Sequence, residues 1–121
     1  MIYHHLYSDA DGESRWRDVT VDLEERSFAP PARAIEISAP RDARRSLFLR
    51  LRAGWNEPIH PTPVRQMLVP TAGRIRVTAS DGEAREIAPG RIWLMEDRSG
   101  KGHHTEVIGD EDFLCVIVQY D

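Results

Sequence analysis

The stretch GWNEPIHPTPVRQMLVPTAG, residues 54–73, decides the fold prediction for this chain. His60 and Thr62 lie two residues apart on an extended segment, so their side chains leave the same face. Gln66 follows four residues later and keeps the same parity. In a closed barrel that face is the interior, and His103 would arrive there from a facing strand. The stretch therefore predicts a group of polar side chains inside a β-barrel.

Short segments of strand character surround this stretch. Residues 74–78 alternate charged and apolar side chains, which is the pattern of a half-buried strand. Residues 46–52 place leucines on one face, and residues 113–118 are continuously apolar, as in a strand covered on both sides. Asp81-Gly82 lies between two such segments and is a strong hairpin signal. Because no convincing helical stripe occurs, the chain is predicted to be an all-β sandwich or barrel.

Length and composition indicate one domain with an N-terminal extension. A chain of 121 residues, 40% of them hydrophobic, suits a single core. Residues 1–45 carry three prolines and few long apolar runs. We therefore expect residues 1–45 to form an N-terminal arm that packs on the barrel or on a partner. Residues 46–121 are expected to form the barrel.

The quoted stretch resembles the first signature of the cupin superfamily, Gly-x5-His-x-His-x3-Glu-x6-Gly. Gly54, His60 and Gly73 take the first glycine, the first histidine and the closing glycine at the family spacing. Thr62 stands where the second histidine belongs, and Gln66 stands where the glutamate belongs. The chain thus resembles cupins with a degenerate metal motif.

A second, looser match supports the same resemblance. Gly90 opens the second cupin signature, and Gly100-Lys-Gly-His103 supplies its Gly-x2-His element, after a spacer two residues longer than usual. Val107 replaces the asparagine of the signature. Over residues 46–118 the chain is similar to small single-domain bacterial cupins of the cupin 2 conserved-barrel type. The resemblance implies a double-stranded β-helix, the jelly-roll cupin barrel.

The resemblance also implies a metal site, which this sequence alters. In metal-binding cupins these positions hold one divalent ion such as Fe, Mn, Ni or Zn, which here would use His60, Gln66 and His103. Thr62 offers a hydroxyl, a poor ligand for a transition metal, and Gln66 removes the anionic ligand. Carboxylates able to supply that charge are Glu57, Glu96 and Asp97. The cofactor prediction therefore remains open between one divalent transition metal and none.

Three functions remain open for the barrel interior. The leading hypothesis is binding of a small polar organic molecule, without need of a metal, in a pocket lined by His60, Gln66, Trp93 and His103. There His60 and His103 could act as catalytic residues, because histidine exchanges protons near neutral pH, in an isomerase, cyclase or lyase. A carboxylate from Glu96 or Asp97 could orient one imidazole. The alternatives are a metal-dependent dioxygenase, isomerase or lyase, and an interaction module with its pocket packed shut.

Charge and hydropathy limit the partners. The net charge of −4 gives no basic excess for nucleic acid, and no apolar run approaches the roughly 20 residues that span a membrane. The start lacks a secretory pattern and the single cysteine, Cys115, reads as a buried hydrophobe, so a cytoplasmic location is expected. Exposed strand edges in a small barrel are commonly covered by a second copy, so we expect a homodimer.

Overall fold

A computed structural model describes all 121 residues and contains eleven β-strands and no helix. No segment forms a helix that is long and apolar enough to cross a membrane. The strands are β1 (Ile2–Ser8), β2 (Ser14–Thr20), β3 (Glu24–Arg26), β4 (Ile35–Ile37), β5 (Arg45–Leu51), β6 (Gln66–Ala72), β7 (Arg74–Ala79), β8 (Ala84–Ile87), β9 (Trp93–Glu96), β10 (His103–Ile108) and β11 (Phe113–Gln119).

The predicted strands are found close to their expected positions. The segments predicted at 46–52, 74–78 and 113–118 correspond to β5, β7 and β11. Asp81-Gly82 turns the chain between β7 and β8, and Gly82 has a φ of 95° that a glycine adopts without strain. The all-β prediction is therefore confirmed.

Two sheets enclose the core. One has six strands in the order β2-β1-β9-β6-β11-β5, and the other has three strands in the order β10-β7-β8. Along β7 and β11 buried and more exposed residues alternate, because successive side chains of a strand point to opposite faces. The inward residues of both sheets meet in one apolar cluster that includes Ile75, Val77, Trp93 and Phe113.

Within the predicted N-terminal arm, residues 2–20 form two strands of the six-stranded sheet. β1 pairs antiparallel with β2 and parallel with β9, so this part of the chain forms one end of the six-stranded sheet. Leu6 is fully buried in the core, and Trp16 is buried beside Trp93 with ring centroids 5.8 Å apart. The rest of the predicted arm, residues 21–44, lies outside the six-stranded sheet. In this segment β3 and β4 pair only with each other.

Burial of His5 on the outer side of β1 predicts a pH-dependent stability. Its Nδ1 accepts a hydrogen bond of 2.8 Å from Arg17, and its Nε2 lies 2.7 Å from Glu96. Desolvation lowers the pKa of His5 below its usual value, Glu96 acts in the opposite direction, and Arg17 and Arg41 lower it further. As the pH drops through about 6.5, His5 is protonated more readily in the unfolded chain than in the folded protein. The free energy of unfolding therefore decreases.

We expect the wild-type protein to lose more stability than His5→Gln between pH 7.5 and pH 5.5. The wild type should lose up to about 1.4 kcal/mol more of its unfolding free energy than the variant over this pH range, since histidine in the unfolded chain is largely protonated at pH 5.5. Urea unfolding of both proteins at the two pH values measures it. Equal pH dependence in both proteins would show that His5 takes up its proton as readily when folded.

Candidate metal centre

His60 and His103 are held side by side by their own backbones. The His60 N–H donates to the His103 carbonyl at 3.1 Å, and the His103 N–H donates to the His60 carbonyl at 3.0 Å. Gly102 permits this approach, because a Cβ at that position would lie 2.2 Å from the His60 carbonyl carbon. Its φ of 76° also favours glycine. The two imidazole centroids consequently lie 5.5 Å apart.

The N-terminal strands support the loop that carries these residues. The buried Ser14 hydroxyl donates to the Gly102 carbonyl at 2.7 Å, and the Lys101 N–H donates to the Gly12 carbonyl at 2.9 Å. The turn between β1 and β2 therefore fixes the approach to β10. No sequence pattern pointed to this link, because serine and glycine are ordinary turn residues.

Asp97 orients the His103 ring from inside the protein. Its fully buried carboxylate lies 2.5 Å from His103 Nδ1 and accepts a hydrogen bond of 2.7 Å from the Thr62 hydroxyl. A carboxylate accepts from Nδ1–H, which leaves the lone pair of the neutral ring on Nε2. Of the two acids proposed to orient an imidazole, Asp97 does so. Thr62, which stands in the place of a family histidine, holds that carboxylate.

His60, like His103, is oriented by an acceptor at its Nδ1, in this case a backbone carbonyl. Its Nδ1 lies 2.9 Å from the Pro58 carbonyl oxygen, and since a carbonyl only accepts, Nδ1 carries the hydrogen. His60 Nε2 then faces Glu57 Oε2 at 3.3 Å. His103 Nε2 faces the other carboxylate oxygen, Glu57 Oε1, at 4.0 Å. The Nε2 atoms of both rings are thus turned toward one carboxylate.

This arrangement fits a divalent transition-metal ion. Lone pairs on two imidazoles repel a carboxylate unless a proton or a metal ion lies between them, and a divalent ion satisfies all three groups at once. One donor atom each from Glu57, His60 and His103 lie within 4.8 Å of one another. Two histidines and one carboxylate form a donor set typical of such ions. The hydrogen bonds from each Nδ1 are those that metal-binding histidines commonly make.

The four residues predicted to line an interior pocket do not all meet. The Gln66 amide donates to Met95 Sδ at 3.5 Å and accepts from Gln119 at 2.9 Å, with no hydrogen bond to either imidazole. Trp93 lies edge-on to His103, with centroids 5.2 Å apart, and both side chains are buried. Gln66 as a metal ligand therefore stays a prediction, while Glu57 lies beside both histidines.

The approach to the site is from solvent rather than from within the barrel. The side chain of His60 is 45% exposed and that of Glu57 is 14% exposed, whereas His103 is 1% exposed. Three surface clefts, of about 590, 500 and 360 Å³, are lined by other residues. An ion at this centre would have its protein ligands on the barrel side and its remaining positions toward solvent.

Several other side chains singled out in the sequence lie outside the centre. Glu96 contacts His5 and Arg65 on the outer side of the sheet. His104 leaves the strand on the face opposite His103, and its Nε2 lies 2.7 Å from the Asn56 amide oxygen. Cys115 is buried as expected, and desolvation raises its pKa to about 11, so it is a poor nucleophile.

Comparisons with known proteins identify the fold. No protein-family model matches the chain, and no curated protein matches it. A Cupin 2 conserved barrel domain protein from Salinispora arenicola is 18% identical, with a TM-score of 0.52 over 84% of this chain and 76% of that one. The cupin domain of Cnp3 from Schizosaccharomyces pombe is 16% identical, with a TM-score of 0.50 over 100% of this chain and 83% of that one. At these identities the likeness concerns the fold alone.

Proposed function

On the basis of its cupin barrel fold, we propose that this chain binds a small polar organic molecule through a divalent metal ion held by Glu57, His60 and His103. One observation carries the proposal. The Nε2 atoms of both histidines face the Glu57 carboxylate, while each Nδ1 is committed to an acceptor on the protein side. With both rings neutral, this pattern leaves two imidazole lone pairs and one carboxylate converging on the same point.

The charge of this donor set compensates for the altered cupin motif. Thr62 and Gln66 are neutral, so the two positions that depart from the signature bring no anionic ligand. Glu57, three residues before His60, supplies the missing negative charge. Asp97 adds a second, buried carboxylate behind His103, and a carboxylate hydrogen-bonded to a ligating histidine makes it a stronger donor. The site therefore offers an environment that favours a divalent cation.

Each residue has a definite role in binding. When bound, the ion polarises an oxygen atom of the molecule as a Lewis acid. His103 is fixed by Asp97 and by its burial, so it anchors the centre, while the half-exposed His60 borders solvent and also faces the incoming molecule. Glu57 lies between them. Ligands suited to this site are small compounds with a carboxylate and a neighbouring hydroxyl or oxo oxygen.

An enzymatic role of dioxygenase, isomerase or lyase type is the second candidate function. The observation that favours it is the position of His60, whose Nε2 lies 3.3 Å from Glu57 at the solvent boundary. In the metal-free protein, the Nε2 lone pair of a neutral histidine there could accept a proton from a bound molecule and pass it to water, as an isomerase or lyase requires. Product formation from a bound ligand would distinguish this role from binding alone.

The proposed function is tested with untagged protein purified without chelator. We expect near-stoichiometric metal by elemental analysis, removal of that metal by a chelator, and recovery of one site per chain in a calorimetric titration with Mn²⁺ or Zn²⁺. A 2-hydroxycarboxylate or 2-oxocarboxylate, titrated next, should bind the metal-loaded protein at least tenfold more tightly than the chelator-treated protein. Equal affinity for both forms, or no metal uptake, would contradict the proposal.

The hydrogen bond from Thr62 to Asp97 predicts that removing the Thr62 hydroxyl weakens metal binding. Thr62→Val keeps the side-chain volume and removes the hydroxyl that donates to Asp97, so the carboxylate loses a partner and His103 loses part of its positioning. Metal affinity should fall by about tenfold, the scale of such indirect contacts. Thr71→Val on the exposed side of β6 is the matched control and should leave the affinity unchanged. Equal affinities of the two variants would remove Thr62 from the centre.

A further inference from the structure

The largest of the three clefts lies on the outer face of the six-stranded sheet. Its volume of about 590 Å³ is within the range of sites that bind small molecules. Side chains that leave their strands on the side opposite the core line it, and the segments 21–23 and 38–43 complete the lining. The strand residues that face the cleft include Tyr3, Val19, Met67 and Val118. None of the three metal-centre residues lines the cleft, so it is a separate candidate site.

The lining of the cleft is mainly apolar. Eleven of its sixteen residues are hydrophobic, which favours a ligand with an apolar body. Met67 and Val118 are direct partners across β6 and β11. Tyr3 and Val19 are direct partners across β1 and β2. Because cross-strand partners on one face lie side by side, each pair forms a continuous apolar stretch of the floor.

One side chain in this cleft carries an uncompensated positive charge. Arg41 donates a hydrogen bond of 3.0 Å to the hydroxyl of the buried Tyr3. The guanidinium carbon of Arg41 lies 5.8 Å from the ring centroids of both Tyr3 and Tyr120. The guanidinium forms no ion pair with any carboxylate of the chain. The two tyrosines therefore hold Arg41 in place, while its charge stays available to a ligand.

The hydrogen-bond donors around Arg41 suit a carboxylate. Arginine presents its N–H groups in a planar fork that matches the two oxygens of a carboxylate. The Tyr3 hydroxyl accepts from Arg41 and donates to no other group of the protein, so its own proton is available to a ligand oxygen. Hydrogen bonds to a charged group are roughly twice as strong as those between neutral groups. Arg41 and Tyr3 together therefore provide a binding position for one carboxylate.

Asp22 limits the ligand to one negative charge. It is the only acidic residue that lines the cleft, and it forms no ion pair with Arg41. Because like charges repel more strongly beside apolar walls than in open water, a second carboxylate on the ligand would be disfavoured. The rest of the ligand is therefore expected to be neutral.

We propose that this cleft binds a monocarboxylate with an apolar body, of the class of a medium-chain fatty acid. The carboxylate pairs with Arg41 and Tyr3, and the hydrocarbon chain lies over Met67 and Val118. The site is independent of the metal centre, because Arg41 supplies the positive charge that the carboxylate needs.

Titration calorimetry with octanoate tests the site. Octanoate should bind at one molecule per chain, with the same affinity for the protein as purified and after treatment with a chelator. 1-Octanol has the same chain without the charge and should bind at least about tenfold more weakly. A ligand held by the metal centre would instead lose its affinity on chelation, so the titration also separates the cleft from that centre.

Two substitutions and a matched control locate the ligand. Arg41→Gln should weaken octanoate binding at least about tenfold and leave 1-octanol binding unchanged, because it removes the charge and keeps the apolar walls. Arg33→Gln removes the same charge from an exposed residue outside the cleft and should leave both affinities unchanged. Ala43→Trp adds bulk at an exposed position of the lining and should weaken the binding of both ligands. The melting temperature verifies that each variant is folded.

Three results would overturn the proposal. Octanoate that shows no saturable binding to the chelator-treated protein would leave the cleft without this ligand. Equal octanoate affinities of Arg41→Gln and Arg33→Gln would show that Arg41 does not hold the carboxylate. An octanoate affinity that falls as the protein concentration rises would show that a second copy of the chain fills the cleft instead.

Discussion

His103→Ala should lower the affinity of the protein for Mn²⁺ or Zn²⁺ by at least about 100-fold, since it removes a ligand fixed by a buried carboxylate. The Asp97 carboxylate then has only the Thr62 hydroxyl as a side-chain partner, and His60 is the one imidazole left facing Glu57. Competition against a coloured chelator at pH 7.5 measures the dissociation constants. His104→Ala, at the next residue on the opposite face, is the matched control and should stay within about threefold of wild type.

A second variant separates metal binding from folding. His103 is almost fully buried, so its removal also leaves a cavity and an under-satisfied carboxylate. His60 is half exposed, and His60→Ala should leave the melting temperature of the metal-free protein close to wild type while weakening metal binding by a similar factor. If His60→Ala and His104→Ala bind metal equally well, the ion is not held by this centre.

Gly102→Ala should lower the free energy of unfolding by about 3 kcal/mol or more, and it should abolish high-affinity metal binding. An added methyl group would lie 2.2 Å from the His60 carbonyl carbon and 2.3 Å from the Pro61 nitrogen. Backbone atoms cannot yield as a flexible side chain can, so the segment carrying His60 must move away from β10. The φ of 76° adds its own strain for alanine.

Gly54→Ala is the matched control for this effect. Gly54 has a similar φ of 82°, but a Cβ there would meet nothing within 4 Å. Gly54→Ala should therefore lower the free energy of unfolding only by the backbone strain, about 1 kcal/mol, and leave metal binding intact. Chemical denaturation of the metal-free variants and metal titration of the folded ones measure both effects. Equal losses in the two alanine variants would mean that close contact with His60 does not hold the centre together.

The sequence predicted the β-barrel from local signals, and it predicted from the cupin-like spacing that His60 and His103 would face each other. Alternation of apolar residues marked β5, β7 and β11, and glycines marked the turns between strands. The cupin-like spacing placed the two histidines on facing segments, and the structure pairs their backbones directly. Asp97, six residues before His103, was within reach as an orienting carboxylate.

The parts that sequence patterns did not reveal depend on contacts between distant residues. β1 pairs in parallel with β9, almost 90 residues later, and its mixture of apolar and polar residues gave no alternation to detect. Gln66 kept the family spacing, yet its amide is taken by Gln119 and Met95. Glu57 precedes the signature histidine and was only one of three candidate carboxylates. Its position beside both rings is a contact that the spacing of the signature does not specify.

The most direct measurement is a crystal structure of the protein loaded with Mn²⁺ or Zn²⁺, with anomalous data collected at the metal edge. The expected result is one strong anomalous peak per chain, about 2.0–2.2 Å from Nε2 of His60, Nε2 of His103 and a carboxylate oxygen of Glu57. A peak bound through Gln66, or a fully loaded crystal with no peak between Glu57 and the two histidines, would contradict the proposed centre.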